Sequence, residues 1–245
     1  MRYILFLLFL LGWFGSMSQD QGLENVDEII EDEISRVNIF EGNFSMYAPL
    51  DVFSEKIESG LLYGFTIGYL RQLQKEKPSF IGIEAYHMNL GIYSRNYNAF
   101  VGNEQLDITG KVSSNALGLN LNYRYYLPLK YGRLEPYIDG QLGTKLLYSY
   151  LSESGVFSDE EPYDNFDYLS GNWVLTYGGA FGLQIHISDN YFLNLKTTYH
   201  FAISGEYDIK KTEDLGSIEF PEEAFETVQS STNVVKIDIG FTVLF

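Results

Sequence analysis

From about residue 37 onward, apolar residues recur at every second position and not at the 3.6-residue spacing of a helix. That is the period of a strand with one greasy face and one polar face. It is cleanest at the C-terminus, where Val235, Ile237, Ile239, Phe241, Val243 and Phe245 alternate with Lys236, Asp238, Gly240 and Thr242. Similar runs upstream predict eight strands, over 38–50, 60–73, 79–93, 113–127, 134–150, 172–187, 191–205 and 233–245. In the third the greasy parity switches near Met88, Leu90 and Ile92, the mark of a bulge. Pro78, Pro128, Pro162 and Pro221 fall between the predicted strands, where a missing N–H breaks no ladder.

Period two alone does not say whether the greasy face points inward or outward. The connections 51–59, 74–78, 94–112, 128–133, 151–171, 188–190 and 206–232 alternate long and short, as in membrane barrels with tight periplasmic turns and long external loops. Tyr123, Tyr125, Tyr126, Tyr131, Tyr148, Tyr150, Trp173 and Tyr191 crowd the strand ends, the positions of the aromatic girdles at the two water interfaces. Cost points the same way. A base facing the bilayer midplane costs about 2–4 kcal/mol, so Arg124, Lys145, Lys196 and Lys236 are expected inside, sharing a face with Glu84, Glu135, Asp139 and Asp238. The expected fold is all-β: a closed, antiparallel, up-and-down transmembrane β-barrel of eight strands, or ten if a long loop hides a hairpin. An even count puts both termini on the periplasmic side. A bore of eight strands is filled by side chains, which argues against a diffusion porin. Lys75, Lys77, Lys130 and Arg133 in the short turns fit an orientation with the long loops outside.

Composition narrows the classes further. Across 245 residues, 33 acids against 16 Lys and Arg give a formal charge of −17, which opposes nucleic-acid binding. No cysteine is present, so thiolate metal sites and cysteine nucleophiles are excluded. Arg2, the apolar run Ile4–Phe14, and small Ser16 and Ser18 predict a cleaved signal peptide over residues 1–18. An acidic periplasmic leader over 19–36 and the barrel domain over 37–245 complete the expected organisation.

Together, the signal, the eight alternating segments, the terminal strand ending in Phe245 and the segment Leu134–Gly143 resemble the small eight-stranded, OmpA/OmpX-like outer-membrane β-barrels. The resemblance lies in pattern more than in any motif. It implies residence in the outer membrane among its lipids and lipopolysaccharide. It also implies delivery by the barrel-assembly machinery, with Phe241, Val243 and Phe245 as the C-terminal signature.

Candidate chemistry is sparse. His186-Ile187-Ser188 has the His-x-Ser spacing of the outer-membrane lipid A deacylases, but it lies beside the short 188–190 turn, at the wrong end of the barrel. His200 is expected in the lumen, and His87 sits at the parity switch with either direction open. Acids crowd two long connections, Glu153, Asp159, Glu160, Glu161, Asp164 and Asp167 in one, and Glu206, Asp208, Glu213, Asp214, Glu219, Glu222, Glu223 and Glu226 in the other. Oxygen-rich stretches of this kind invite Ca²⁺, but neither has the spaced acidic loop of a dedicated site. The expectation is a non-enzymatic barrel without cofactor or resident metal, with a structural or surface-interaction role. A lipid-modifying enzyme and a narrow transporter or assembly factor are the alternatives.

Overall fold

The computed structural model describes residues 37–245 apart from 58–59, 75–76, 102–103, 129–132, 157–161 and 212–219. The expected signal and leader, with Lys75, Lys130, Tyr131, Asp159, Glu160, Glu161, Glu213, Asp214 and Glu219, lie outside the described residues. Strands β1 (Asn38–Pro49), β2 (Leu62–Gln72), β3 (Ser79–Val101), β4 (Glu104–Tyr126), β5 (Leu134–Val156), β6 (Pro162–Ser188) and β7 (Tyr191–Ala202) each pair antiparallel with the next. Two short strands follow, β8 (Ser204–Lys210) and β9 (Phe225–Ser231), which pair only with each other. Finally β10 (Val234–Leu244) pairs with β7 on one side and with β1 on the other, closing an eight-stranded barrel.

The seam runs from Ile39 opposite Leu244 to Pro49 opposite Val234. At its lower end Asn38 N donates to Phe245 O at 2.7 Å and Phe245 N donates back to Asn38 O at 3.0 Å. Closure removes the raw edges that a flat sheet would leave. The long 206–232 connection does hide a hairpin, but β8 and β9 stand outside the ladder, so the barrel keeps eight strands.

Alternation puts the greasy face outward. Leu142, Trp173 and Phe241 are each more than 60% exposed, while Arg124, Lys236 and Asp238 are completely buried. A protein folding in water does the reverse, because burying apolar surface is its main driving force. A predominantly apolar exterior that runs round the barrel is a surface for lipid.

Two expectations need correction. The connections 94–112 and 151–171 are mostly strand: β3 and β4 stay paired out to Val101 opposite Glu104, and β5 and β6 out to Val156 opposite Pro162. Beyond the membrane boundary the outward positions are polar (Ser94, Asn96, Asn98, Thr109, Lys111), because water covers them. The alternation therefore fades while the backbone ladder continues. Also, the 51–59 connection carries a short helix, α1 (Asp51–Lys56), opening on Asp51 in the left-handed region at φ 52°, a conformation Asp tolerates better than most residues.

The register of β3 and β4 shifts between Asn89 and Gly91, where the sequence pattern marks a bulge. Met88 and Leu90, however, stay on the inner face and are buried; Ile92 is the first to turn out.

Candidate functional site

The lumen holds the polar chemistry, in two clusters. At the short-turn end Arg124 on β4 forms a fork with two acids. Its Nε and Nη2 donate to Asp139 on β5 at 2.7 and 2.8 Å, while Nη1, and Nη2 again at 3.1 Å, donate to Glu41 on β1. The guanidinium also sits 3.8 Å from the centre of the Tyr137 ring. That ring fits because Gly182 lies beneath it: a Cβ there would come within 2.1 Å of Tyr137. Tyr137 in turn donates its hydroxyl to Asn194 Oδ1 at 2.7 Å, and Asn194 donates to Asn43 Oδ1 at 3.0 Å. Four strands (β1, β4, β5 and β7) are thereby tied together through the bore.

In mid-barrel Glu84 on β3 accepts from both Lys196 on β7 and Lys236 on β10, the latter at 2.7 Å. Asp238 lies 3.2 Å from Lys236 and 3.6 Å from Lys196, and accepts from Ser45 at 2.6 Å. Two bases against two acids make this cluster neutral. A buried charge is tolerable only when paired and hydrogen-bonded in this way.

The remaining expected members behave differently. Lys145 is buried but faces no carboxylate among the described residues; its ammonium donates to Thr232 O at 3.0 Å. Glu135 is not in the lumen. It lies one residue into β5, at the short-turn rim, and is exposed, because a strand's first residues stand beyond the packed bore. Glu41 takes the place expected for it. The signal was present: Glu41 shares odd parity with Asn43 and Ser45, and continuing that alternation one step back puts it inside.

Both ends of the bore are shut by apolar side chains. At the short-turn end Ile39, Leu70 and Phe80 form a small cluster with Val37, Tyr126 and Leu244. At the opposite end α1 and β8 fold over the mouth, and Phe53 and Tyr207 meet edge to face at 5.4 Å above Tyr86, Met88, Leu147 and Val174. The Tyr86 ring needs Gly118 as Tyr137 needs Gly182; a Cβ at Gly118 would lie 2.1 Å from it. Asp208 pins β8 to the barrel, its carboxylate accepting from Ser170 on β6 and its backbone O from Ser114 on β4 at 2.6 Å, while Thr227 on β9 donates to the carboxylate at 2.7 Å. None of this was legible from spacing, because the plug is assembled from connections without a repeating pattern.

The histidines do not assemble a catalytic site. His186 packs edge-on against Phe192 at 5.1 Å near the short-turn rim, and its side chain makes no hydrogen bond to Ser188. His200 is buried beside Tyr86, its Nε2 accepting from Asn120 at 3.2 Å. His87, left open by the sequence, faces outward and stacks on Phe65 at 5.4 Å. Outside the membrane, Glu153 gathers hydrogen bonds from Tyr97, Tyr163 and Asn165. Burial first, and then the adjacent carboxylate, push the Tyr97 phenol above its usual range. No cluster of three or more His, Cys, Asp or Glu among the described residues could hold a metal.

A closed eight-stranded ladder with charges sealed inside and oil outside settles the architecture. The chain has the fold of a small outer-membrane β-barrel. No family model matches it, and neither does any curated protein. Among solved structures it is similar to OprG from Pseudomonas aeruginosa, at 17% identity and a TM-score of 0.42, covering 86% of this chain and 96% of that one. It is also similar to Ail, the attachment invasion locus protein of Yersinia pestis, at 11% identity and a TM-score of 0.36, covering 86% and 100%. Neisserial surface protein A aligns at 12% identity and a TM-score of 0.35, over 84% and 95%.

Proposed function

We propose that the protein is a non-enzymatic integral barrel of the bacterial outer membrane, serving as a structural element that presents an acidic external surface. The observation that carries this reading is the bore: paired charges cross it and apolar clusters shut it at both ends. Such a lumen offers no water path for a solute. Among the described residues it also places no nucleophile beside a base with an orienting acid, which acyl-transfer chemistry requires.

In this reading residues 1–18 are removed on export and 19–36 form a periplasmic leader. Both ends of the barrel domain, Asn38 and Phe245, lie at the short-turn rim with exposed Lys77 and Arg133, and this rim faces the periplasm. The paired β3–β4 and β5–β6 extensions then stand outside the cell. Phe241, Val243 and Phe245 point outward on the last strand, where the assembly machinery would meet them. The lipid partners are those of the outer membrane, lipopolysaccharide included.

Two measurements test this reading. In planar bilayers the purified barrel is expected to show no steady conductance of porin size; such a conductance would refute the sealed bore. Incubated with lipopolysaccharide and phospholipid, it is expected to leave acylation unchanged. A change abolished by His186→Ala would instead establish the lipid-modifying alternative.

A further inference from the structure

Above the point where β2 leaves it, the bulge in β3 opens a cleft on the outer rim. The β2–β3 ladder ends at Gly64 opposite Met88, so from Asn89 outward β3 keeps only β4 as a barrel neighbour. α1 and β8 approach the vacated side. Between them lies a cleft of about 230 Å³ with Lys56 and Lys210 at its edges and Ile57, Leu90, Ile92 and Ile209 in its walls.

Three features give this cleft a chemistry. First, the charged residues that line it, among the described residues, are two lysines, in a chain whose acids outnumber Lys and Arg 33 to 16. No described carboxylate lines it. Second, neither ammonium is spent on an ion pair with a described residue; Lys210 only overhangs the Tyr93 ring at 5.7 Å. Third, the wall formed by Ile92 is 48% exposed and continues the lipid-facing surface. Ile92 stands eleven residues beyond Ile81, the first outward apolar residue of β3, and a tilted membrane strand spans about 9–11 residues. The cleft therefore sits at the level where the headgroups of the outer leaflet meet their acyl chains.

Two ammonium groups without an ion pair among the described residues, over an apolar wall, suit a ligand with a phosphate at one end and a hydrocarbon chain at the other. Near-surface ammonium groups attract anionic lipid, and an apolar wall adds the burial of methylenes. We propose that this cleft binds the phosphate of an outer-leaflet phosphorylated lipid between Lys56 and Lys210, with an acyl chain laid along Ile92. The proposal rests on the reading of the barrel as an outer-membrane protein with α1 and β8 at its external end.

The test titrates the detergent-solubilised, heat-modifiable barrel with dihexanoyl phosphatidic acid, and in parallel with dihexanoylglycerol and inorganic phosphate. Native mass spectrometry counts the adducts. Saturable one-to-one binding of the phosphatidic acid is expected, at least ten-fold tighter than either control. Lys56→Gln with Lys210→Gln should weaken it ten-fold or more. Gly91→Leu should do the same by filling the cleft. A Cβ at Gly91 meets only Lys210 Cβ at 3.8 Å and Phe225 Cε1 at 4.0 Å, so the added side chain has room to enter.

Equal binding of inorganic phosphate would reduce the site to one for a free anion and overturn the lipid assignment. Equal binding of dihexanoylglycerol would overturn the role of the lysines. Unchanged affinity in both variants, each migrating as a folded barrel, would place the lipid elsewhere and overturn the site. A chain that never becomes heat-modifiable in detergent would refute the barrel reading itself, a distinct failure.

Discussion

At the scale of single residues, the interior rests on Arg124. Removing it strands Glu41 and Asp139 in a bore closed to water, and breaking a buried pair in this way costs about 3–5 kcal/mol. Arg124→Met is therefore expected to lower the urea unfolding free energy of the refolded barrel by that amount. Adding Glu41→Gln and Asp139→Asn to it should restore most of the loss, because the penalty lies in the uncompensated charges. Glu135→Gln, at the exposed rim, should leave the unfolding midpoint where it was. Lumen membership was legible for Arg124, Asp139, Glu84, Lys196, Lys236 and Asp238, since parity and the cost of charge in lipid act on each position separately. Which acid faces which base was not legible. The pairing of Arg124 with Glu41 crosses the bore between strands 83 residues apart in sequence, and only closure brings them together.

At the scale of elements, the strands are longer than their amphipathic stretches. β6 runs 27 residues from Pro162, whereas its alternation becomes regular only near Asn172. What alternation reports is the presence of lipid on one face, so it stops at the bilayer surface while hydrogen bonding carries on. The plug was hidden for a related reason: Phe53, Tyr207 and Ile209 come from a short helix and a separate hairpin, and no period links them. Phe53→Ala, at a fully buried site, should cost about 3–5 kcal/mol. A double-mutant cycle with Tyr207→Ala should show a coupling of about 0.5–1.5 kcal/mol for the edge-to-face pair. Additivity of the two losses would mean that α1 and β8 do not share one core over the mouth.

At the scale of the whole molecule, the account depends on which side of the sheet meets hydrocarbon. Leu119 stands outward in mid-strand and is 53% exposed. In a bilayer, Leu119→Lys should destabilise the barrel by about 2–4 kcal/mol. In a water-soluble barrel the same change would be neutral or would improve solubility, so the sign of the effect separates the two. External cysteines follow the same logic: Val156→Cys should react with a membrane-impermeant maleimide on intact cells, and Lys77→Cys should react only after the outer membrane is opened.

The most direct measurement uses the indole already present. Trp13 lies in the expected signal peptide, so Trp173, outward on β6 and 64% exposed, is the sole tryptophan of the processed chain. After refolding into vesicles, its emission should shift to the blue and be quenched by lipids brominated along the acyl chains, most strongly by bromines near the headgroups, where the aromatic girdle sits. Emission at the wavelength of a water-exposed indole, indifferent to brominated lipid, would contradict the claim that this oily exterior is solvated by the membrane.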